Sequence, residues 1–315
     1  MAKKRAGKVG RDETKEKKKR DWRAEDERLI KRGEFYLDIE FVESWDEDAK
    51  RMNRGKRGRP FRYPQTFIQW MSLIHTFFRM PYRQMQGFAE KLSVFIPLRA
   101  ADYTTLFKRI AQEDLPFDAM LLDREDRIIA VDSTGFRVTN RGEWINRVGK
   151  TGRPRRGWLR VHVAVDVETK EVLGLEVTKE TVMDHQCFPS LIEQSLRHGT
   201  VKRVLGDGGY DGRNEFSLLE DLGIEPGIKT RENASTSPSR ARRQSYLRAE
   251  EVRYRQKHGY QSWRDKTGYG KRWNVESVFS ALKRIFGETL VAHSWQGLKR
   301  EIQTRMAAYN LLLSL

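Results

Sequence analysis

RIIAVDSTGFRVT (Arg127 to Thr139), GWLRVHVAVDVET (Gly157 to Thr169) and KEVLGLEVT (Lys170 to Thr178) are three β-rich runs. A short polar turn separates the last two, which predicts an antiparallel meander. Outward toward the C-terminus, HQCFPSLIEQSLRHG (His185 to Gly199) reads as a helix, and KRVLGDGG (Lys202 to Gly209) as a buried strand ending in glycines. RNEFSLLEDLG is a helix stopped by Gly223, and IEPGIKT a short strand. A polar, basic insert from about Arg231 to Gly268 precedes a long helix from about Lys271 to Phe286.

Outward toward the N-terminus the period changes from two to 3.6. Phe67, Trp70, Met71, Ile74, Phe77 and Phe78 recur at helical spacing, and Pro81 ends that helix. A second helical pattern runs through Tyr82, Met85, Phe88, Ala89 and Leu92, and a third through Tyr103, Leu106, Phe107 and Ile110, with Asp102 placed to cap it. Residues 51–120 therefore form a small all-helical module in which helix-turn-helix geometry is available. Residues 1–50 read as a basic tail and lead-in, largely disordered, because KEKKKRDWR and its surroundings offer no apolar periodicity to bury. Residues 125–315 form the second domain, interrupted by the insert at about 231–268. The order βββ, α, β, α, β, α matches an α/β fold of the ribonuclease H-like type with a mixed sheet, a topological expectation that does not settle function.

Lys and Arg total 61 against 44 Asp and Glu, a formal net charge of +17. Such an excess calls for an abundant anionic partner, and nucleic acid comes first, since cations that pair with phosphates release condensed counterions. A basic surface that is merely solvated is the alternative. The single cysteine, Cys187, excludes an intrachain disulfide and a cysteine-based zinc finger, and it fits a reducing compartment. The longest apolar stretch, Phe67 to Phe78, contains Gln and His and falls short of the ~20 residues that span a bilayer, so no membrane partner is expected. The Lys-rich start is followed by no apolar segment, unlike a signal peptide; the expected location is the cytoplasm, in association with the nucleoid.

Asp132 stands at the end of the first run, in AVDST, and Asp207 directly follows the apolar RVLG and precedes two glycines. Carboxylates at the ends of neighbouring buried strands face one pocket, and the glycines allow close backbone approach to a ligand. A third carboxylate comes from YGKRWNVESVFSALKR: Arg272, Glu276 and Lys283 lie at i, i+4 and i+11 and share one helix face within about 40° at 100° per residue. Three acids in one pocket repel one another unless divalent cations neutralise them, and hard oxygen donors suit Mg²⁺ or Mn²⁺. Taken singly, Asp132 is equally a strand-end turn residue and Asp207 an Asp-Gly turn.

Tyr269, Arg272, Glu276 and Lys283 fit Tyr-x2-Arg-x3-Glu-x6-Lys at every position, and this resembles the signature of the insertion-sequence four/five superfamily of DDE transposases. WLRVHVAVD, GDGGYD, AVDST, YRQMQGFAEKL and DYTTLFKRI are also similar to segments of those enzymes, so the resemblance runs from about Arg51 to the C-terminus. It implies a catalytic triad of Asp132, Asp207 and Glu276 holding two Mg²⁺ or Mn²⁺ ions, with Tyr269, Arg272 and Lys283 on the substrate side. It further implies cleavage of transposon ends, transfer of the freed 3′-hydroxyl into target DNA, double-stranded DNA as partner, and a homodimer or larger synaptic complex. An inactive DNA-binding regulator and a ribonuclease H-like nuclease remain the alternatives.

Other signals are weaker. Asp166 is expected in the turn between strands, Asp211 as a helix N-cap or an outer carboxylate, and His162 on either the catalytic face or a half-polar sheet surface. GKT at Gly149 to Thr151 is not a P-loop, because Trp144 occupies the place of the first glycine; RVGKTGRPRRGW reads instead as a basic loop able to touch DNA. The insert mixes Arg, Tyr and Trp, as phosphate pairing and base stacking require, and Arg83, Lys91, Lys108 and Arg109 are candidates for reading a major groove.

Overall fold

A computed structural model of the chain describes residues 21–112, 115–118, 120–138, 157–234, 236 and 245–315. The basic loop RVGKTGRPRRGW lies almost wholly outside the described residues, as do the first twenty residues and part of the insert around RARRQ. The chain divides into two units, one ending at Asp38 and one spanning Ile39–Ser314. In the first, helix α1 (Trp22–Phe35) begins at Asp21, whose carboxylate accepts hydrogen bonds from the Arg23 and Ala24 amides. Such a cap satisfies amides that the first helical turn leaves unpaired.

The second unit opens with α2 (Trp45–Asn53), α3 (Gln65–Phe78), α4 (Tyr82–Leu92) and α5 (Tyr103–Ile110). Their apolar stripes meet in one core of Phe67, Ile68, Met71, Met85 and Leu106, all fully buried. Phe41 and Trp45 belong to it too, packing on Trp70 and Phe67 at ring separations of 5.3 and 5.1 Å. The helical module thus begins near Ile39, not at residue 51, and residues 22–53 are largely helical where a disordered lead-in is expected. Two aromatics are too few to show a period in sequence, yet each buries enough area, worth some ~1.5–3 kcal/mol, to hold a short helix in place.

The sheet has the order β3-β2-β1-β4-β5, with β6 also pairing with β1. Strands β1 (Arg127–Val138), β2 (Trp158–Asp166) and β3 (Val172–Lys179) form the expected antiparallel meander, in the registers Val131↔Ala164 and Val163↔Leu175. β4 (Val201–Gly206) joins β1 in parallel, β5 (Glu225–Ile228) joins β4 in parallel, and β6 (Thr289–Leu290) pairs with the far end of β1. Helices α6 (Asp184–Leu196) and α7 (Arg213–Asp221) cover one face, where Ile129, Val131, Phe188, Leu191 and Phe216 are wholly buried. On the other, α9 (Trp273–Phe286) and α10 (Trp295–Ser314) pack Val275, Leu282 and Ile302 against Ala130, Val163 and Phe136. Strand alternation sends odd and even residues of β1 to these two layers. α3 joins the second layer through Phe77, whose ring lies 5.6 Å from that of Phe286.

Asp166 takes its expected place in the β2–β3 turn, accepting from the Glu168 and Thr169 amides, and it also pairs with the buried Arg127 at 2.7 Å. The insert is less open than its polarity suggests. Helix α8 (Tyr246–Thr267), broken at Gly259 (φ 80°, ψ 170°), folds its two halves together around Trp263, which is fully buried with its indole N–H donating to Glu251.

Candidate active site

β4 pairs with β1 only as far as Leu205↔Ala130, whereas β1 runs on to Val138 against β2. Asp132 therefore lies mid-strand, not at a strand end: pairing with β2 carries the strand through the polar Asp132, Ser133 and Thr134. What ends beside Asp132 is the neighbouring strand. Asp207 follows that end directly, and its side chain accepts from the Gly209 amide at 2.8 Å as the chain turns through a 3-10 turn, Gly208–Tyr210.

Asp132 projects on the face shared with Ala130 and Phe136, toward α9. Glu276 stands in the first turn of α9, and Arg272 one turn before it, at the end of a second 3-10 turn, Tyr269–Arg272. One guanidinium joins them: Arg272 Nη1 lies 2.9 Å from Asp132 Oδ2 and Nη2 2.6 Å from Glu276 Oε1. Burial pushes the Asp132 carboxyl above its usual range, and the negative charges of Asp207 and Glu276 add to this, against the Ser133 amide and Arg272. Asp132 and Glu276 thus share one guanidinium, and Asp207 stands where β4 ends beside β1.

Tyr269 lies beside them, its ring 5.9 Å from the Arg272 guanidinium and 5.0 Å from Trp263, with burial raising its phenol pKa. Lys283 does not reach the acids. Its ammonium lies 5.6 Å from the Phe136 ring, four residues beyond Asp132 on the same strand face and so ~13 Å along it.

Among the described residues, no three acidic, histidine or cysteine side chains already stand in metal-ligand arrangement. The donor set nonetheless fits a hard divalent cation: three carboxylates, one with its charged form disfavoured by burial first and then by the other two, and two of them already drawn to a single cation, Arg272.

Other expected roles shift. Asp211 is no helix N-cap; its fully buried carboxylate takes Arg248 Nε at 2.8 Å and Nη2 at 3.1 Å, plus the Arg231 amide, which fastens the turn after Asp207 to α8. The N-cap of α7 is Gly212. His162 faces the α6 layer, opposite the acids, and is wholly buried beside Asp184 and Thr178. Asp184 carried no signal in sequence beyond its place before a helix. Arg109 is held within the helical module, with Nη2 2.9 Å from Gln65 Oε1 and its guanidinium over the Phe61 ring. Along the insert, Thr230, Arg231, Arg255, Gln256 and Tyr260 line a cavity of about 260 Å³.

No helix among the described residues is long and apolar enough to cross a membrane. Among solved structures, the chain is similar to the Drosophila P element transposase in its strand transfer complex, at 12% identity over 88% of this chain and 86% of that one, with a TM-score of 0.33. It is similar to the piggyBac transposase in a synaptic complex with hairpin DNA at 11% identity over 87% and 72%, TM-score 0.41. To the chain of the Mos1 strand transfer complex the identity is 16% over 81% and 80%, TM-score 0.25. These likenesses are distant, and the assignment rests on sequence-family models. One described as the transposase DDE domain matches residues 123–311, and a second of the same description matches 30–141. With the first spanning more than half of its length and enclosing all three acids, the chain belongs to the DDE transposase family.

Proposed function

We propose that this chain cleaves DNA at transposon ends and transfers the freed 3′-hydroxyl into target DNA, as a ribonuclease H-like enzyme of the insertion-sequence four/five superfamily. The observation that carries this reading is Arg272 joining Asp132 of β1 to Glu276 of α9, with Asp207 at the adjoining end of β4. Asp132, Asp207 and Glu276 would hold two Mg²⁺ or Mn²⁺ ions. When bound, such ions activate an attacking oxygen and stabilise a leaving oxygen of an in-line phosphoryl displacement.

The chain's own residues supply the remainder. Arg272, whose two Nη atoms already hold two carboxylates, is shaped to hold a scissile phosphate bidentately. Tyr269 walls the site beside it. Lys283, farther along α9, meets the DNA backbone as a point charge one or two phosphates from the reacting one. Arg255 and Tyr260 on α8, and Arg83, Lys91 and Lys108 on α4 and α5, extend the contact along double-stranded DNA. Cleavage and joining are the same displacement with water or a 3′-hydroxyl as nucleophile, so one site serves both. Two ends must be processed together, which calls for a homodimer or larger synaptic complex acting on nucleoid DNA in the cytoplasm.

The test is incubation of purified protein and Mg²⁺ with DNA bearing the inverted repeats found around the gene. Joined products are expected. Asp132→Asn should remove joining while leaving DNA binding within about twofold, as expected for a residue whose contacts matter in the transition state. Cutting without joining would replace this reading by a nuclease, binding alone by a regulator, and joining by Asp132→Asn would overturn the triad.

A further inference from the structure

α9 docks on the sheet by a buried apolar stripe of Val275, Val278, Phe279, Leu282 and Phe286. At about 100° per residue, Glu276 lies about 110° to one side of the centre of that stripe and Asn274 about 90° to the other. Apolar attraction has no direction, so the stripe alone does little to stop the helix rolling, and a roll carries Glu276 away from Asp132. Among the described residues, two hydrogen bonds tie the start of α9 to the sheet, one on each flank. Arg272 reaches Asp132 on the side of Glu276. On the other side, Asn274 Nδ2 donates to the Val167 carbonyl at 2.6 Å.

Val167 is a firm anchor. It is buried in the turn between β2 and β3, and its amide donates to the Ile128 carbonyl of β1 at 2.9 Å. Arg127, beside Ile128, is buried as well and binds Asp166 at 2.7 Å and Glu171 at 3.0 Å, one at each end of the turn. A single residue thus links the helix of Glu276 to the strand of Asp132, four positions before that acid. The nearby Lys271–Glu168 pair, 3.7 Å apart, is about half exposed at both ends, and solvent screening leaves it little hold.

The two flanking bonds differ in permanence. Arg272 is held by the charges of Asp132 and Glu276, and it loses that hold once those acids are neutralised or a phosphate offers itself instead. The Asn274 bond joins two neutral groups outside the acids and survives both events. We propose that Asn274 is a positioning residue that keeps α9 at the roll bringing Glu276 toward Asp132, so that both carboxylates reach one divalent cation when Arg272 has let go. This rests on the reading of Asp132 and Glu276 as metal ligands.

Mn²⁺ is titrated into the full chain saturated with a mixed-sequence DNA duplex, with the duplex alone as blank, and bound metal is read by electron paramagnetic resonance. Asn274→Ala, which suits a helix but has no donor, should weaken Mn²⁺ binding by about tenfold, the effect expected on losing a group that holds ligands in place. Duplex affinity and far-ultraviolet circular dichroism should stay as in the wild type. Asn274→His, in which the imidazole Nδ1 stands as many bonds from Cα as the amide nitrogen it replaces, should recover most of the binding. A merely structural role would lower the melting temperature of Asn274→Ala and leave its Mn²⁺ affinity untouched; that result, or no recovery in Asn274→His, overturns the proposal. Should Asn274→Ala not fold, Asn274→Leu, of similar bulk and also without a donor, takes its place. Asp132→Asn separates the two levels. If it binds Mn²⁺ as the wild type does, the ligand reading itself fails; if it loses Mn²⁺ while Asn274→Ala keeps it, only the positioning role does.

Discussion

Arg272 is the residue on which the site turns, because one planar group serves two acids from different elements, and a lysine could not bridge them with the same fork geometry. A simpler residue-scale case is Asp102. Its carboxylate accepts from the Thr104 and Thr105 amides and hydroxyls at the start of α5, and the Thr104 hydroxyl, first among these, holds its pKa well below the usual range. Because the folded-state pKa is lowered, this stabilisation is present above the ordinary carboxylate pKa and disappears as pH falls through and below it. Asp102→Ala should cost about 1 kcal/mol at neutral pH by chemical denaturation. The gap between variant and wild type should narrow in acid; a gap independent of pH would show that the charge of the cap is irrelevant.

Elements are placed by pairings that no single segment announces. α8 is anchored to the turn after Asp207 through Arg248 and Asp211, a charge-assisted pair formed across 37 positions. A local N-cap bond is weaker than two such bonds to a buried carboxylate, which explains why Asp211 ignores the helix that follows it. Arg248→Met should leave the Asp211 carboxylate short of its cation and destabilise the chain by about 3 kcal/mol in urea unfolding, with Arg248→Met/Asp211→Asn recovering most of the loss. An additive double variant would show that the two residues act separately. The strands and the α9 helix were legible because each carries a period of its own; α2 and the compact fold of α8 were not, because their burial depends on Phe41, Trp45 and Trp263 finding distant partners.

At the scale of the whole molecule, residues up to Asp38 form a unit of their own, while the helical module and the sheet belong to one continuous unit joined through α3, α9 and α10. The charge of the N-terminal unit is therefore separable from the stability of the remainder. Deleting residues 1–38 should leave the melting temperature of the main unit within a degree or two, yet weaken duplex binding and flatten the dependence of log affinity on log salt, since fewer counterions are released. A lowered melting temperature, or an unchanged salt slope, would contradict this.

From the amino-acid order alone came the meander, the alternation of strands and helices, the helical module and all six candidate residues, since period, charge and the spacing within Tyr269–Lys283 are local properties. Only the tertiary structure decided that β4 stops beside Asp132, that Arg272 joins Asp132 to Glu276 while Lys283 stays down the helix, and that α6 packs on the reverse face of the strand bearing Asp132. Those facts depend on where elements far apart in the chain end relative to one another, and strand register and helix docking are set by the packing of the complete core, which no local window contains.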